Sequence, residues 1–306
     1  MTQRILVTGA SGFIGRHALA PLVKAGAEVH AVSRSPLDNA PPHVIAHRTD
    51  LLDQVERHQL VREVRPQLIL HAAWETAHGQ FWTAPANLDW AAASLELARE
   101  AAEHALERFV GVGTCFEYAY GNDGDCHEQS TPIAPYTLYA TAKDATRRAL
   151  AAFAETAGLG FAWGRVFLLY GPGETPTRLV PHVARNLLAG RQAPISKGLA
   201  VRDFIDARDA GNALAALALS PVNGPVNIAS GQGVTVRELA LTLGRLAGRT
   251  ELVEIGALAE RQEPERLVAD IARLRDEVGF DAIRPLEEGL AEALDHWRGE
   301  TEAEPE

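Results

Sequence analysis

The sequence predicts an α/β protein: a doubly wound parallel sheet followed by a smaller mixed lobe. Three observations carry that expectation. Short apolar runs alternate with longer helix-like stretches through the first half of the chain. The runs hold Val, Ile and Leu at consecutive positions, as strands covered on both faces require. The first run, RILV, leads straight into TGASGFIGRH, where Gly9, Gly12 and Gly15 precede a helix-like stretch.

Taken in order, RILVT (4–8), EVHAVS (28–33), HVIAHR (43–48), QLILHAA (67–73) and RFVGVGT (108–114) read as strands. Residues 13–25, 53–64 and 87–104 read as the helices between them, and GFAWGRVFLLYG (160–171) supplies a further strand. After Gly171 the pattern changes: Pro and Gly punctuate shorter, mixed elements. The expected division is a dinucleotide-binding domain over 1–170, a mainly substrate-binding lobe over 171–298, and an acidic, frayed tail over 299–306. Ligands of open α/β sheets bind at the carboxyl ends of the strands, where the lobe is expected to pack.

Composition narrows the function classes. The chain has 306 residues, 46% of them apolar, and no run approaches the ~20 apolar residues of a membrane span. A net charge of −11 without a basic stripe argues against nucleic acid as a partner. Cys115 and Cys126 cannot form a disulfide framework, and no Cys/His spacing suggests a metal site. The start has no signal-peptide pattern, which with the cysteine usage points to a cytoplasmic setting.

Strand, glycines and helix in that order make a phosphate cradle. Glycine permits a tight turn and close backbone approach, and the helix start offers N–H groups to a pyrophosphate. Gly9, Ser11, Gly12, Phe13, Ile14 and Gly15 are therefore the expected cofactor contacts of a Rossmann-type domain. At the end of the second strand stand Ser33 and Arg34, where an NAD site usually has a carboxylate. Serine removes the repulsion toward a 2′-phosphate and Arg34 offers it a planar fork, which favours NADP(H) and leaves NAD(H) possible. The alternative for Arg34 is solvent, or stacking on the adenine. Asp50 is a candidate for the adenine amino group, or else a helix N-cap. Leu51, Ala72 and Ala73 complete the expected cofactor contacts.

In PYTLYATAKDATRRAL, Tyr139 and Lys143 lie one helical turn apart. A neighbouring ammonium stabilises a phenolate, so Tyr139 is a plausible general acid or base, and Lys143 can also hold the nicotinamide ribose. Thr114, at the end of its strand, can donate to a substrate carbonyl on the same side of the sheet.

These segments together resemble an extended short-chain dehydrogenase/reductase of the NAD-dependent epimerase/dehydratase group, which acts on nucleotide-activated sugars. TGASGFIG resembles the glycine motif, HAAW the fourth-strand motif, Asn87 a structural position and YATAK the active-site helix. RVFLLYGPG, VRDFIDARDAGNAL, GPVNIASGQGVTVREL and PLEEGLAEALDHW resemble the later segments, so the likeness runs from Ile5 to Trp297. It implies a Thr114–Tyr139–Lys143 triad with hydride exchange at C4 of a nicotinamide. It also implies a homodimer built on the 87–104 helix and the Tyr139 helix, both rich in Ala.

The departures from the family pattern bear on the reaction. Sugar 4,6-dehydratases carry Asp-Glu after the threonine, where this chain has Cys115 and Phe116, and Glu117 falls one position late. Cys115 reads first as a buried small residue and second as a substrate-lining thiol. His182 reads as a helix-face histidine. Leu168 stands where many UDP-sugar epimerases have a diphosphate-contacting Asn. Arg202 is the first candidate for the substrate diphosphate, unless it pairs with Asp203 or Asp206, and Arg178 is the second. Trp74, Glu75, His78 and Trp82 either line a sugar pocket or pack a lid. The reading that follows is an NADPH-dependent ketoreductase of a nucleotide-linked deoxysugar. A 4-epimerase with tightly held NAD(P) stands second, and a non-catalytic NADP-sensing protein is a distant third.

Overall fold

The computed structural model describes residues 2–37, 40–76, 79–119, 121, 124–260 and 264–303; side chains are described as far as residue 300. Among the described residues the first half forms β1 (Arg4–Thr8), α1 (Gly15–Lys24), β2 (Glu28–Ser33), β3 (Ile45–Arg48), α2 (Gln54–Val64) and β4 (Leu68–His71). Then follow α3 (Ala86–Ala102), β5 (Arg108–Thr114), α4 (Leu138–Ala157), β6 (Gly160–Val166) and β7 (Leu168–Tyr170). The second half adds α5 (Leu179–Leu188), β8 (Ala193–Ile195), β9 (Val201–Asp206), α6 (Ala207–Leu219) and β10 (Gly224–Ile228). It ends with β11 (Gly233–Thr235), α7 (Val236–Leu246), β12 (Val253–Ile255), β13 (Arg266–Leu267) and α8 (Leu286–Ala303).

The large sheet has the order β10-β6-β5-β4-β1-β2-β3, and every pairing in it is parallel. The order reverses between β1 and β4, the switch point at which α/β sheets bind ligands. Consecutive apolar residues feed cores on both faces. Ile5 and Val7 belong to the α1/α6 side, and Leu6 to the α2/α3/α4 side. The expected single strand over 160–171 is divided: β6 stays in the large sheet, while β7 pairs with β9 in a small mixed sheet.

The small sheet joins β11, β9, β13 and β7, and β8 pairs with β12 beside it. The chain does not stay in this lobe after Gly171. Helix α6 packs along α1, and β10 returns to the edge of the large sheet beside β6. Gly211 is the contact that lets α6 approach, since a Cβ there would lie 2.5 Å from the His17 Cβ. The acidic end, expected to fray from Gly299, is helical through Ala303, and residues 304–306 lie outside the described residues.

Candidate active site

The glycine turn sits where β1 ends at the switch point. Gly9 has φ +65°, and a Cβ on it would lie 2.7 Å from the Ala73 backbone N. A Cβ on Gly15 would lie 2.3 Å from the Gly9 carbonyl oxygen, so the glycines let turn, helix and β4 close on one another. The Gly12 N–H donates to the Gly9 carbonyl, and no side chain caps the start of α1 at Ile14. Ser11 is exposed and Phe13 is half-buried. An uncapped helix start over a backbone-only cradle fits a dinucleotide pyrophosphate.

Beneath the turn runs a buried hydrogen-bond chain that the sequence reading did not single out. The Ser94 hydroxyl donates to the Trp90 carbonyl at 2.6 Å, and His71 Nε2 lies 2.8 Å from the same hydroxyl oxygen. Nε2 must then carry the proton, leaving His71 Nδ1 to accept from the Thr8 hydroxyl at 2.8 Å. Thr8 Oγ1 in turn accepts from the Ala73 N–H. Burial, helped by the charge of Lys143, pushes His71 down to about 3, so the ring is neutral and the chain is fixed in one direction.

At the adenosine end, Arg34 is exposed and its guanidinium lies 3.9 Å from the Glu75 carboxylate. Arg34, Arg48, Thr49, Asp50 and Glu56 line a cleft of about 380 Å³. Ser33 is buried and spends its hydroxyl on the Ser35 carbonyl. Asp50 accepts from the Leu52 N–H, while Asp53 caps α2, so the N-cap alternative for Asp50 is set aside. Leu51 is buried beside it and its carbonyl accepts from Arg57. Ala72, half-buried, and Ala73 lie at the end of β4 against Gly9, their N–H groups tied to Thr8.

Thr114, Tyr139 and Lys143 lie around the carboxyl end of β5. Thr114 ends β5, with its hydroxyl beside the phenol of Tyr139 on α4. Tyr139 is 9% exposed and packs edge-on against Phe81, with ring centroids 4.8 Å apart, and against Trp82 at 5.9 Å. Burial pushes its phenol up, and the nearby Thr114 hydroxyl only partly opposes this. The Lys143 ammonium, expected to stabilise a phenolate, is engaged elsewhere. The ammonium instead donates to the Val112 carbonyl at 2.7 Å and lies 3.9 Å from the centre of the Trp74 ring. Burial pushes Lys143 down to about 7 against the opposing charge of Glu117.

Thr114 is positioned from below by Glu117, backed by Trp163 and Arg165, two residues that the sequence did not single out. A Cβ on Gly113 would lie 2.0 Å from Trp163 Nε1, so the glycines of RFVGVGT make room for that indole. Trp163 Nε1 donates to Glu117 Oε1 at 2.9 Å, the same oxygen accepts from the Thr114 N–H at 3.0 Å, and Arg165 donates to Oε2 at 2.8 Å. Glu117 is fully buried, and its carboxylate is taken up by the strand end, Trp163 and Arg165. Glycines spaced two apart, opposite a Trp on the next strand, were the available signal.

The remaining candidates divide. Cys115 is buried among Tyr118, Cys126 and Phe167, and burial raises its thiol, which agrees with the first of its two readings, a buried small residue, and not with the substrate-lining one. Phe116 packs against Trp82 instead. Arg178 opens α5 with its guanidinium 6.0 Å from the Phe81 ring, and its charge reaches both Tyr139 and Glu174. Glu174 was not foreseen: it is buried, its Oε2 has no partner among the described residues, and burial pushes it up to about 8. Arg202 is 2% exposed and donates to the Val201 carbonyl, while Asp206 pairs with Arg208 and Asp203 accepts from Ser230, Gly231 and Ala269. Trp74 and Trp82 belong to the aromatic cluster over Tyr139, Glu75 faces Arg34, and His78 lies outside the described residues.

The profile of the NAD dependent epimerase/dehydratase family matches residues 5–229. The chain is 27% identical to GDP-6-deoxy-D-mannose reductase of Pseudomonas aeruginosa, over 99% of this chain and 100% of that protein. It is 30% identical to dTDP-6-deoxy-L-talose 4-dehydrogenase (NAD(P)(+)) of Kitasatospora kifunensis, over 94% of each. The crystal structure of Thermus thermophilus UDP-glucose 4-epimerase with NAD superposes with a TM-score of 0.86 at 27% identity, covering 97% of this chain and 99% of that one. A glycine turn at the switch point, a clustered Thr–Tyr–Lys set and a profile spanning both place the chain in one group: it belongs to the NAD dependent epimerase/dehydratase family.

Proposed function

We propose that this protein is an NADPH-dependent ketoreductase acting on a keto group of a nucleotide-linked deoxysugar. The observation that carries the reading is the placement of the Tyr139 phenol, buried beside Thr114 at the end of β5 and enclosed by the Phe81 and Trp82 rings. Reduction of a ketone needs a proton donor at the carbonyl oxygen, and a phenol kept protonated is that donor. The bound nicotinamide supplies hydride chemistry; the protein supplies the proton at Tyr139 Oη, a second hydrogen bond from Thr114 Oγ1, and an ammonium at Lys143.

Preference for NADP(H) is supported by the absence of a carboxylate at the end of β2 and by two arginines on the adenosine-side cleft. Among the described residues the Arg34 guanidinium pairs with Glu75, on another loop, at 3.9 Å. Arg178, facing the Tyr139 cluster, becomes the first candidate for the substrate diphosphate or sugar, and Arg202, which is buried, the second. Dehydration is disfavoured because Phe116 has no proton to move and the Glu117 carboxylate is engaged with Trp163, Arg165 and the Thr114 N–H. The names of the Pseudomonas and Kitasatospora relatives agree with oxidoreduction at a 6-deoxysugar. The protein is further proposed to work as a cytoplasmic homodimer through α3 and α4, which pack side by side; no described helix is long and apolar enough to cross a membrane.

A 4-epimerase is the second reading, favoured by the likeness to the Thermus enzyme with NAD. Denaturing fresh protein and identifying what it releases separates the two. Reversible binding of NADPH, with its oxidation by an NDP-4-keto-6-deoxysugar, is expected. Release of stoichiometric NAD overturns the reductase.

A further inference from the structure

Lys143 presents a problem of charge. Its ammonium is 3% exposed, and the nearby carboxylate of Glu117 accepts its hydrogen bonds from Thr114, Trp163 and Arg165. Of the other titratable groups around it, His71 is neutral and Tyr139 is a neutral phenol. A charge out of water without a direct counter-ion is costly unless something polarisable faces it.

Trp74 is what faces it. The indole face lies 3.9 Å from the ammonium, close for a cation over a ring. The indole is itself held: its N–H donates to Asn87 Oδ1 at 2.8 Å, and the Asn87 amide donates to the Phe81 and Ala84 carbonyls at 2.7 and 2.8 Å. Asn87 thus fixes the segment after β4 and, through it, the ring plane. An ammonium has three N–H groups. One goes to Val112, one is taken by the indole face, and one is left for a ligand hydroxyl.

We propose that Trp74 is a positioning residue for the reaction: Asn87 orients its indole, and the indole face keeps the Lys143 ammonium charged and aimed at the nicotinamide ribose. This rests on the proposed role of Lys143 in holding that ribose. It takes the place of a sugar-pocket wall as the role of Trp74.

The test is the dissociation constant of NADPH between pH 5.5 and 9 for the wild-type protein, Trp74→Leu, Trp74→Phe and Lys143→Met. The ammonium is charged below about pH 7 and lost as pH rises. Removing the indole disfavours the cation, so the fall in affinity for Trp74→Leu should begin about one pH unit lower than in the wild type. The two proteins should bind alike at pH 5.5 and differ by roughly tenfold near pH 8. Trp74→Phe, which keeps a ring but loses the Asn87 anchor, should fall between them. A Trp74→Leu defect equal at every pH overturns the proposal in favour of simple packing, as does a profile identical to wild type. If Lys143→Met keeps the wild-type pH profile, the Lys143 role fails instead, independently of Trp74.

Discussion

At the scale of single residues, proton inventory decides the chemistry. Tyr139→Phe removes the donor and leaves the aromatic packing in place. Turnover should fall by about 10²–10⁴-fold while NADPH affinity stays within about twofold, checked by steady-state kinetics and fluorescence titration. His71 makes an independent prediction about pH. Its folded value is depressed from 6.5 to about 3, so the folded state binds fewer protons than the unfolded chain in that window. The contribution of this histidine is whole above about pH 6.5 and is lost as pH falls toward 3, at about 1.4 kcal/mol per unit. Urea unfolding of wild type and His71→Asn should show a weaker acid-side slope in the variant. Neither residue's state was legible in the sequence. Tyr139 and Lys143 stood out by their spacing, but pKa depends on what encloses a group, and the enclosing residues Trp74, Thr114 and Phe81 come from distant segments.

At the scale of elements, the sequence was most informative where one element has one job. β1, β2 and β5 fall within their expected bounds because unbroken apolar runs between turn residues admit few other structures. The stretch over 160–171 reads as one strand because its apolarity continues through Phe167, where the chain leaves one sheet for another without a polar break. The turn after β1 is the element on which cofactor binding depends. Gly9→Ala must adopt φ +65° with its Cβ against the Ala72 and Ala73 backbone, a site with no flexible neighbour to yield. The left-handed conformation alone costs about 1–2 kcal/mol. Thermal melts should show that loss, and NADPH binding should weaken by at least about tenfold, equivalent to about 1.4 kcal/mol.

At the scale of the whole molecule, the chain order and the spatial order of the two lobes differ. Periodicity could indicate a change of character near Gly171, but not that α6 and β10 would rejoin the large sheet, since pairing partners far apart in sequence leave no local trace. A fragment of residues 1–170 would therefore lack an edge strand and the helix that covers Val110, Val112 and Ala162 on one face. It should fail to give a cooperative melt, whereas the full chain should unfold in a single transition; calorimetry of both distinguishes the cases.

That return path also limits how the molecule can respond to its substrate. A lobe stitched to the sheet at β6, α6 and β10 has no free pivot, so jaw-like swinging about one hinge is closed to it. Adaptation to different sugars is left to the short spans between anchors, above all the residues from Gly171 to Arg178, tethered at one end by the grip of Arg16 on the Pro172 carbonyl. Swapping those few residues between relatives should retune selectivity without disturbing the scaffold beneath.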